Sequence, residues 1–147
     1  MEKVDLKKTA IDSFNAVWGL IDKKDRSSSD DLEMISLAHK SLHYWIQAGG
    51  TILNIVRGEW MISHVYSVLG IGEAALYHAK TCFEETLDNE IKDFDAVFAF
   101  EAMAFAYKVL NNIELKDQYL KEAYELVDHV EKKEDKDYCL SQLDLLK

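Results

Sequence analysis

Four of the five histidines lie between residues 39 and 78, and the first two have the spacing of a shared ligand pair. His39 and His43 are four residues apart, so a helix would present both imidazoles on one face. Two imidazoles at this spacing can bind one metal ion, although Lys40 stands where a hydrolytic zinc helix carries glutamate. Further ligands would have to come from later in the chain: Glu59, His64 or His78.

Two interpretations of these histidines stay open. In the first, they form a site for a small molecule or a metal ion, with or without catalysis, at His39, His43, His64 and His78. In the second, the histidines are half-buried and form hydrogen bonds across a helix interface. We favour the second interpretation, because a histidine pair on a helix is more often structural than ligating.

A denser group of polar and aromatic side chains follows. Arg57, Trp60 and His64 are separated by three and four residues, so they share one helix face. An aromatic surface beside a guanidinium can receive a carboxylate or an extended peptide. The alternative is that Trp60 belongs to the core and that Arg57 pairs internally with Glu101 or another acid. The sequence leaves both interpretations open.

Motifs for enzyme chemistry are missing from the sequence. Gly70-Ile71-Gly72 lacks the third glycine and the Lys-Ser pair of a phosphate-binding loop, and no Glu-x-x-His pair of a di-iron bundle occurs. Cys82 and Cys139 are too few for a disulfide framework, so we expect free, packed thiols. We therefore predict that the chain is not an enzyme, has no catalytic residue or resident metal and uses no cofactor.

Helices must position these side chains, because the chain contains no proline and its apolar residues recur at spacings of three and four. Asp30 with Glu33 resembles a capping box at the start of the second helix, and Thr51 can cap the third. The pattern predicts an all-α protein of about seven helices. We expect one helical-repeat domain over residues 1–147, with hairpins at about 4–47, 51–88 and 93–132 and a capping helix at about 136–146.

The chain resembles itself at a shift of 41 residues, which aligns residues 64–85 with residues 105–126. Tyr66 then matches Tyr107, Glu73 matches Glu114, and the two turns at 70–72 and 111–113 coincide. Helical hairpins that recur with a period of roughly 20–50 residues are typical of stacked helical repeats.

The first copy of this unit resembles the tetratricopeptide repeat, through Tyr66, Leu69-Gly70, Ala75 and Cys82. In the second copy, Lys116 stands in the place of Ala75. The resemblance covers about residues 57–126 and implies antiparallel hairpins stacked in a right-handed superhelix, whose first helices line a concave groove. The residues expected to line that groove are Arg57, Trp60, His64, Ser67, Phe98, Glu101, Phe105 and Lys108.

A second resemblance is to a group of uncharacterised bacterial proteins. It is carried by Arg57-Gly58-Glu59-Trp60 and by the segments at 65–69, 73–79, 93–95 and 98–102. This resemblance implies that the chain is one natural unit and assigns a catalytic role to none of its residues.

Charge limits the class of partner. Twenty-seven acidic residues against 17 Lys and Arg give a net charge of −10, which disfavours nucleic acid and anionic membranes. Because no apolar run could span a bilayer and the N-terminus lacks a signal peptide, we expect a cytoplasmic protein. We predict an interaction module that binds a basic or apolar protein segment in the groove, and we prefer a homodimer to a capped monomer.

Overall fold

The computed structural model describes residues 2–147, which contain seven α-helices and no strand. The predicted fold class, all-α with stacked antiparallel hairpins, is therefore confirmed. The helices are α1 (Lys3–Asp22), α2 (Ser28–Gln47), α3 (Ile52–Val68), α4 (Gly72–Asp88), α5 (Phe94–Val109), α6 (Ile113–Val127) and α7 (Lys133–Asp144).

Local capping explains where α2 and α3 begin. Ser27 is the N-cap of α2: its hydroxyl accepts from the Asp30 N–H, and the Asp30 carboxylate accepts from the Ser27 N–H. The predicted capping box of Asp30 with Glu33 is thus wrong by three residues, because serine fills the cap position first. Thr51 is the N-cap of α3, as expected, and Asn54 accepts from its backbone N–H.

Four helices end at a residue in the left-handed conformation, which reverses the chain within one turn. These residues fall into two pairs 41 positions apart: Gly49 with Glu90, and Gly70 with Asn111. After Gly70, the next backbone N–H donates to the Tyr66 carbonyl at 2.8 Å, and after Asn111 the next donates to the Tyr107 carbonyl at 2.9 Å. Positions 41 residues apart therefore share a backbone geometry as well as a residue pattern.

Consecutive helices pack against each other from α1 to α7. The odd-numbered helices also contact one another in order, whereas the even-numbered helices do not. The stack therefore curves, with α1, α3, α5 and α7 on its concave side and α2, α4 and α6 outside. The right-handed sense of the superhelix stays a prediction.

Small residues let neighbouring helices approach closely. A Cβ at Gly58 would lie 2.8 Å from Leu42 Cδ1, so α2 and α3 pack where only glycine fits. The contact of α4 with α5 is built largely from alanine, with Ala75 and Ala79 on one helix against Ala102 and Ala106 on the other. The Ser63 hydroxyl donates to the Ala75 carbonyl at 2.8 Å, which fixes α4 against α3 within the hairpin.

Candidate functional site

A cleft opens on the concave side of the stack between α1, α3, α5 and α7. Its volume of about 650 Å³ is within the range of ligand sites. Glu101 at its floor is buried, whereas the rim residues Asp22, Tyr138 and Leu145 are exposed. We call it the inner cleft; it is lined by Trp18, Ile21, Asp22, His64, Val68, Glu101, Phe105, Lys108, Tyr138, Gln142, Leu145 and Leu146.

Aromatic rings form the support of the cleft. The imidazole of His64 stacks on Trp60 with ring centroids 4.7 Å apart and meets the edge of Phe105 at 5.5 Å. Trp18 reaches across from α1 to both, with centroids 5.9 Å from Trp60 and 6.0 Å from His64. These rings join three of the inner helices, α1, α3 and α5. Tilted and edge-to-face packing of aromatic rings at such distances is favourable, so the rings stabilise the contact between these helices.

Glu101 places a carboxylate in this apolar surrounding. It is 3% exposed, and its Oε1 accepts from Trp60 Nε1 at 2.8 Å. Burial raises the pKa of Glu101 to about 7, and the hydrogen bond from Trp60 only partly opposes that rise. Among residues 2–147, no lysine or arginine forms an ion pair with it. The cleft therefore holds a buried acid that has no cationic partner among the described residues.

His64 is held neutral in the same region. Burial lowers its pKa to about 4, and its Nδ1 is buried with no hydrogen-bond partner among the described residues. The imidazole is thus uncharged at neutral pH and contributes a stacked ring surface to the cleft.

A second cavity of about 150 Å³ adjoins the inner cleft, and the two share Trp18 and Tyr138 as lining residues. Here Arg57 forms two hydrogen bonds to Asp95, at 3.0 and 2.9 Å, and its guanidinium lies 5.4 Å from the centre of the Phe94 ring. The internal partner of Arg57 is thus Asp95 and not Glu101. We call this cavity the arginine pocket.

Seven of the eight residues expected to line one groove are divided between these two cavities. Those in the inner cleft are His64, Glu101, Phe105 and Lys108, and those in the arginine pocket are Arg57, Trp60 and Phe98. Ser67 lines neither cavity: it is buried, and its hydroxyl has no hydrogen-bond partner among residues 2–147, whereas the next residue, Val68, lines the cleft.

Residues from the two ends of the chain complete the cleft, and none of them was among the residues expected to line the groove. Trp18 and Asp22 come from α1, and Tyr138 and Gln142 come from α7, which was expected only to cap the stack. Trp18 belongs to a set of apolar residues at helical spacing, Ile11, Phe14, Trp18 and Ile21, which indicates only a packed helix face. No feature of the sequence indicated that α7 would face α1 across the cleft.

The four histidines of the alternative site do not converge. His64 packs with Trp18 and Phe105. His39, on α2, lies at another face of α3, where its Nε2 is 3.0 Å from the Tyr66 hydroxyl oxygen. His78 Nδ1 lies 2.6 Å from Glu59 Oε2, and its ring is 5.5 Å from that of His39.

His43 pairs instead with Gln47 on its own helix, at 3.0 Å. Burial, with the nearby His78, lowers the pKa of His39. Within the described part of the chain, no group of three or more His, Cys, Asp or Glu side chains could hold a metal ion.

The two thiols are buried within the helix packing. Burial raises the pKa of Cys82 to about 12 and that of Cys139 to about 11. Because the thiolate is the reactive form, both side chains act as small apolar groups in the core at neutral pH.

None of the helices formed by residues 2–147 combines the length and apolarity that a bilayer crossing demands. Comparison of the chain with protein-family models, with curated proteins and with solved structures found no match. The two family resemblances therefore stay predictions, and the observed basis for them is the seven-helix stack with its adjacent helix packing.

Proposed function

We propose that this chain is a tetratricopeptide-like interaction module that binds an extended segment of another polypeptide in the inner cleft. The observation that carries the proposal is the cleft itself, about 650 Å³ on the concave side with a floor of aromatic rings and a buried acid. Stacked helical hairpins use their concave surface for binding, because its lining is free of the packing constraints of the core.

The charge of the chain and the shape of the cleft rim favour the same class of partner. The net charge of −10 attracts basic segments, and Asp22 adds an exposed acid to the rim. Opposite it, Leu145 is 68% exposed and Tyr138 is 50% exposed, so apolar area is available for burial. A segment that alternates basic and apolar side chains satisfies both features.

A random linear peptide library, selected against the immobilised full chain, tests this proposal. We expect enriched peptides whose binding weakens several-fold when Leu145→Ala removes apolar area from the rim. The matched control is Leu87→Ala, which truncates an exposed leucine of α4 outside the cleft. Failure to enrich any peptide, or equal binding by both variants, would contradict the proposal.

The alternative function, a small-molecule or metal site, has its support in the contact between His39 and His78. Isothermal titration of the untagged protein with zinc tests it, with His39→Ala as the variant and His129→Ala as the exposed control. Stoichiometric binding lost only in His39→Ala would favour the alternative. We expect no such binding and no turnover in general esterase, phosphatase and protease screens.

A cytoplasmic location, a homodimer and membership of the tetratricopeptide family belong to the same proposal. Their support is the sequence pattern together with the stacked hairpins described above.

A further inference from the structure

We propose that the inner cleft anchors its partner segment through one lysine side chain, whose ammonium group is seated beside Glu101. This inference rests on the proposed function and names the residue type that the cleft selects. Three observations support it. Glu101 has no cationic partner among the described residues, aromatic rings line the cleft, and only one of the two carboxylate oxygens is wholly free for a ligand.

The first observation is that Glu101 lacks a cationic partner within the described chain. The basic side chains that line the inner cleft and the arginine pocket have other partners: Lys108 Nζ donates to the Leu145 carbonyl at 3.2 Å, and Arg57 is paired with Asp95. Lys108 also lies seven residues along α5 from Glu101, which is about 10 Å along the helix axis. A buried carboxylate without a counter-charge is unfavourable, so a cation from a partner gains more here than at an exposed acid.

The second observation is the aromatic lining of the cleft. Trp18 and Tyr138 line it from opposite sides, and Phe105 lines it one helical turn from Glu101. Aromatic faces attract cations electrostatically, and the attraction is stronger where water is excluded. The ring surfaces therefore favour a cation over a neutral group of the same size at this position.

The third observation distinguishes lysine from arginine. Oε1 of Glu101 already accepts the hydrogen bond from Trp60 and keeps one further acceptor site, so only Oε2 is wholly free for a ligand. A guanidinium gains its advantage by bonding both oxygens of a carboxylate, whereas an ammonium acts as a point charge and needs only one. The apolar walls at Ile21 and Val68 suit the four-carbon stem that carries the lysine ammonium.

The experiment uses a peptide taken from the library selection and four synthetic forms of it, in which lysine is kept or replaced by norleucine, acetyl-lysine or arginine. On the wild-type chain, we expect norleucine and acetyl-lysine to weaken binding on the order of tenfold or more, because each removes the charge. We expect arginine to bind several-fold more weakly than lysine. An arginine form that binds as well as the lysine form would overturn the single-oxygen argument.

Glu101→Gln supplies the matched variant, because glutamine still accepts the hydrogen bond from Trp60 but carries no charge. We expect the lysine and norleucine forms to bind this variant equally, while Glu84→Gln, an exposed change on α4, retains the wild-type difference. If Glu101→Gln retains the full difference, the ammonium sits elsewhere and the proposal fails. Circular dichroism of both variants verifies that they are folded.

Two further outcomes separate the proposals. Enriched, cleft-dependent peptides without any lysine dependence would overturn this inference and leave the proposed function intact. Nα-acetyl-lysine amide, whose side-chain ammonium is free, should bind far more weakly than the peptide when it is titrated alone as a small amine. If it binds equally well, the occupant is a free amine, and the inference of a polypeptide anchor is wrong.

Discussion

At the scale of single residues, two buried ionisable groups in the cleft have opposite effects on the pH dependence of stability. Burial raises the pKa of Glu101 in the folded state to about 7, from an ordinary value of about 4.5. Between these two pH values the folded state binds more protons than the unfolded state, so Glu101 lowers the free energy of unfolding as pH rises. His64 has its folded pKa lowered to about 4, so it disfavours folding as pH falls from about 6.5 to 4. In the wild-type chain the two slopes oppose each other between these limits.

A variant that lacks one of the two groups should show the pH dependence of stability that the other group causes. We expect Glu101→Gln to be more stable than wild type by up to about 3 kcal/mol near pH 8 and equally stable near pH 4. The reason is that the variant never carries a buried charge. Urea unfolding at both pH values measures the difference.

The control for this prediction is His64→Phe, which keeps a stacked ring next to Trp60 but removes the titrating nitrogen atoms. His64 lowers the stability of the wild-type chain below about pH 6.5, and we expect this loss to be absent from the variant. The fall in stability with rising pH that Glu101 causes should remain. Parallel pH profiles for wild type and both variants would contradict the assignment of these two groups.

At the scale of helices, the contact between α4 and α5 depends on small side chains. Ala75 is fully buried among Ala79, Ala102 and Ala106. We expect Ala75→Leu to overpack this contact and to lower the free energy of unfolding by about 1–3 kcal/mol. Thermal and urea denaturation, followed by circular dichroism, measure the cost.

The matched substitution is Lys116→Leu, 41 residues further on. Lys116 is 6% exposed and already fills its site with a long side chain, and its ammonium pairs with the exposed Asp117 at 2.7 Å. Because the Asp117 carboxylate is 61% exposed, solvent screens this pair, and leucine fills the buried site without a charge, so we expect little change in stability. Equal costs for the two substitutions would count against the alignment of these positions.

Helix α7 is a second element whose role can be tested. Leu143 is fully buried with Val97, Leu120 and Val130, whereas Leu140 on the same helix is 37% exposed. We expect Leu143→Ala to cost about 2–5 kcal/mol through the cavity that it leaves, and Leu140→Ala to cost about 0.5 kcal/mol or less. Urea unfolding measures both; similar losses would mean that α7 is not packed as described.

At the scale of the whole molecule, net charge and exposed apolar area act in opposite directions on self-association. The charge of −10 repels a second copy, while large apolar side chains are exposed on several helices, among them Leu32, Tyr77 and Leu145. If the chain forms the expected homodimer, salt should strengthen it by screening the repulsion.

Sedimentation equilibrium at low and high salt tests this expectation. We expect the average mass to rise toward twice the chain mass with salt and with protein concentration. Binding of a lysine peptide should respond in the opposite way, because screening weakens the attraction between unlike charges. A mass that stays at one chain under all conditions would exclude the homodimer.

The sequence by itself determined the helices and their order. Periodic apolar residues, the absence of proline and local signals such as Thr51 and Gly70 act within one or two turns of the chain, so they can be read without knowledge of the rest. The shift of 41 residues likewise predicted that Gly70 and Asn111 would be equivalent, and both adopt the left-handed conformation. The spacing of three and four residues along α3 and α5 selected seven side chains that line one or the other of the two cavities.

Only the tertiary structure decided which of those side chains meet and what each one does. Arg57 and Glu101 were expected in one groove, but the stacking offset brings Asp95 to Arg57 and Trp60 to Glu101. Tyr138 is remote in sequence and reaches the cleft because α7 packs on α5. The physical reason is that burial and charge pairing depend on contacts between distant segments, whereas helix formation depends mainly on neighbours in the chain.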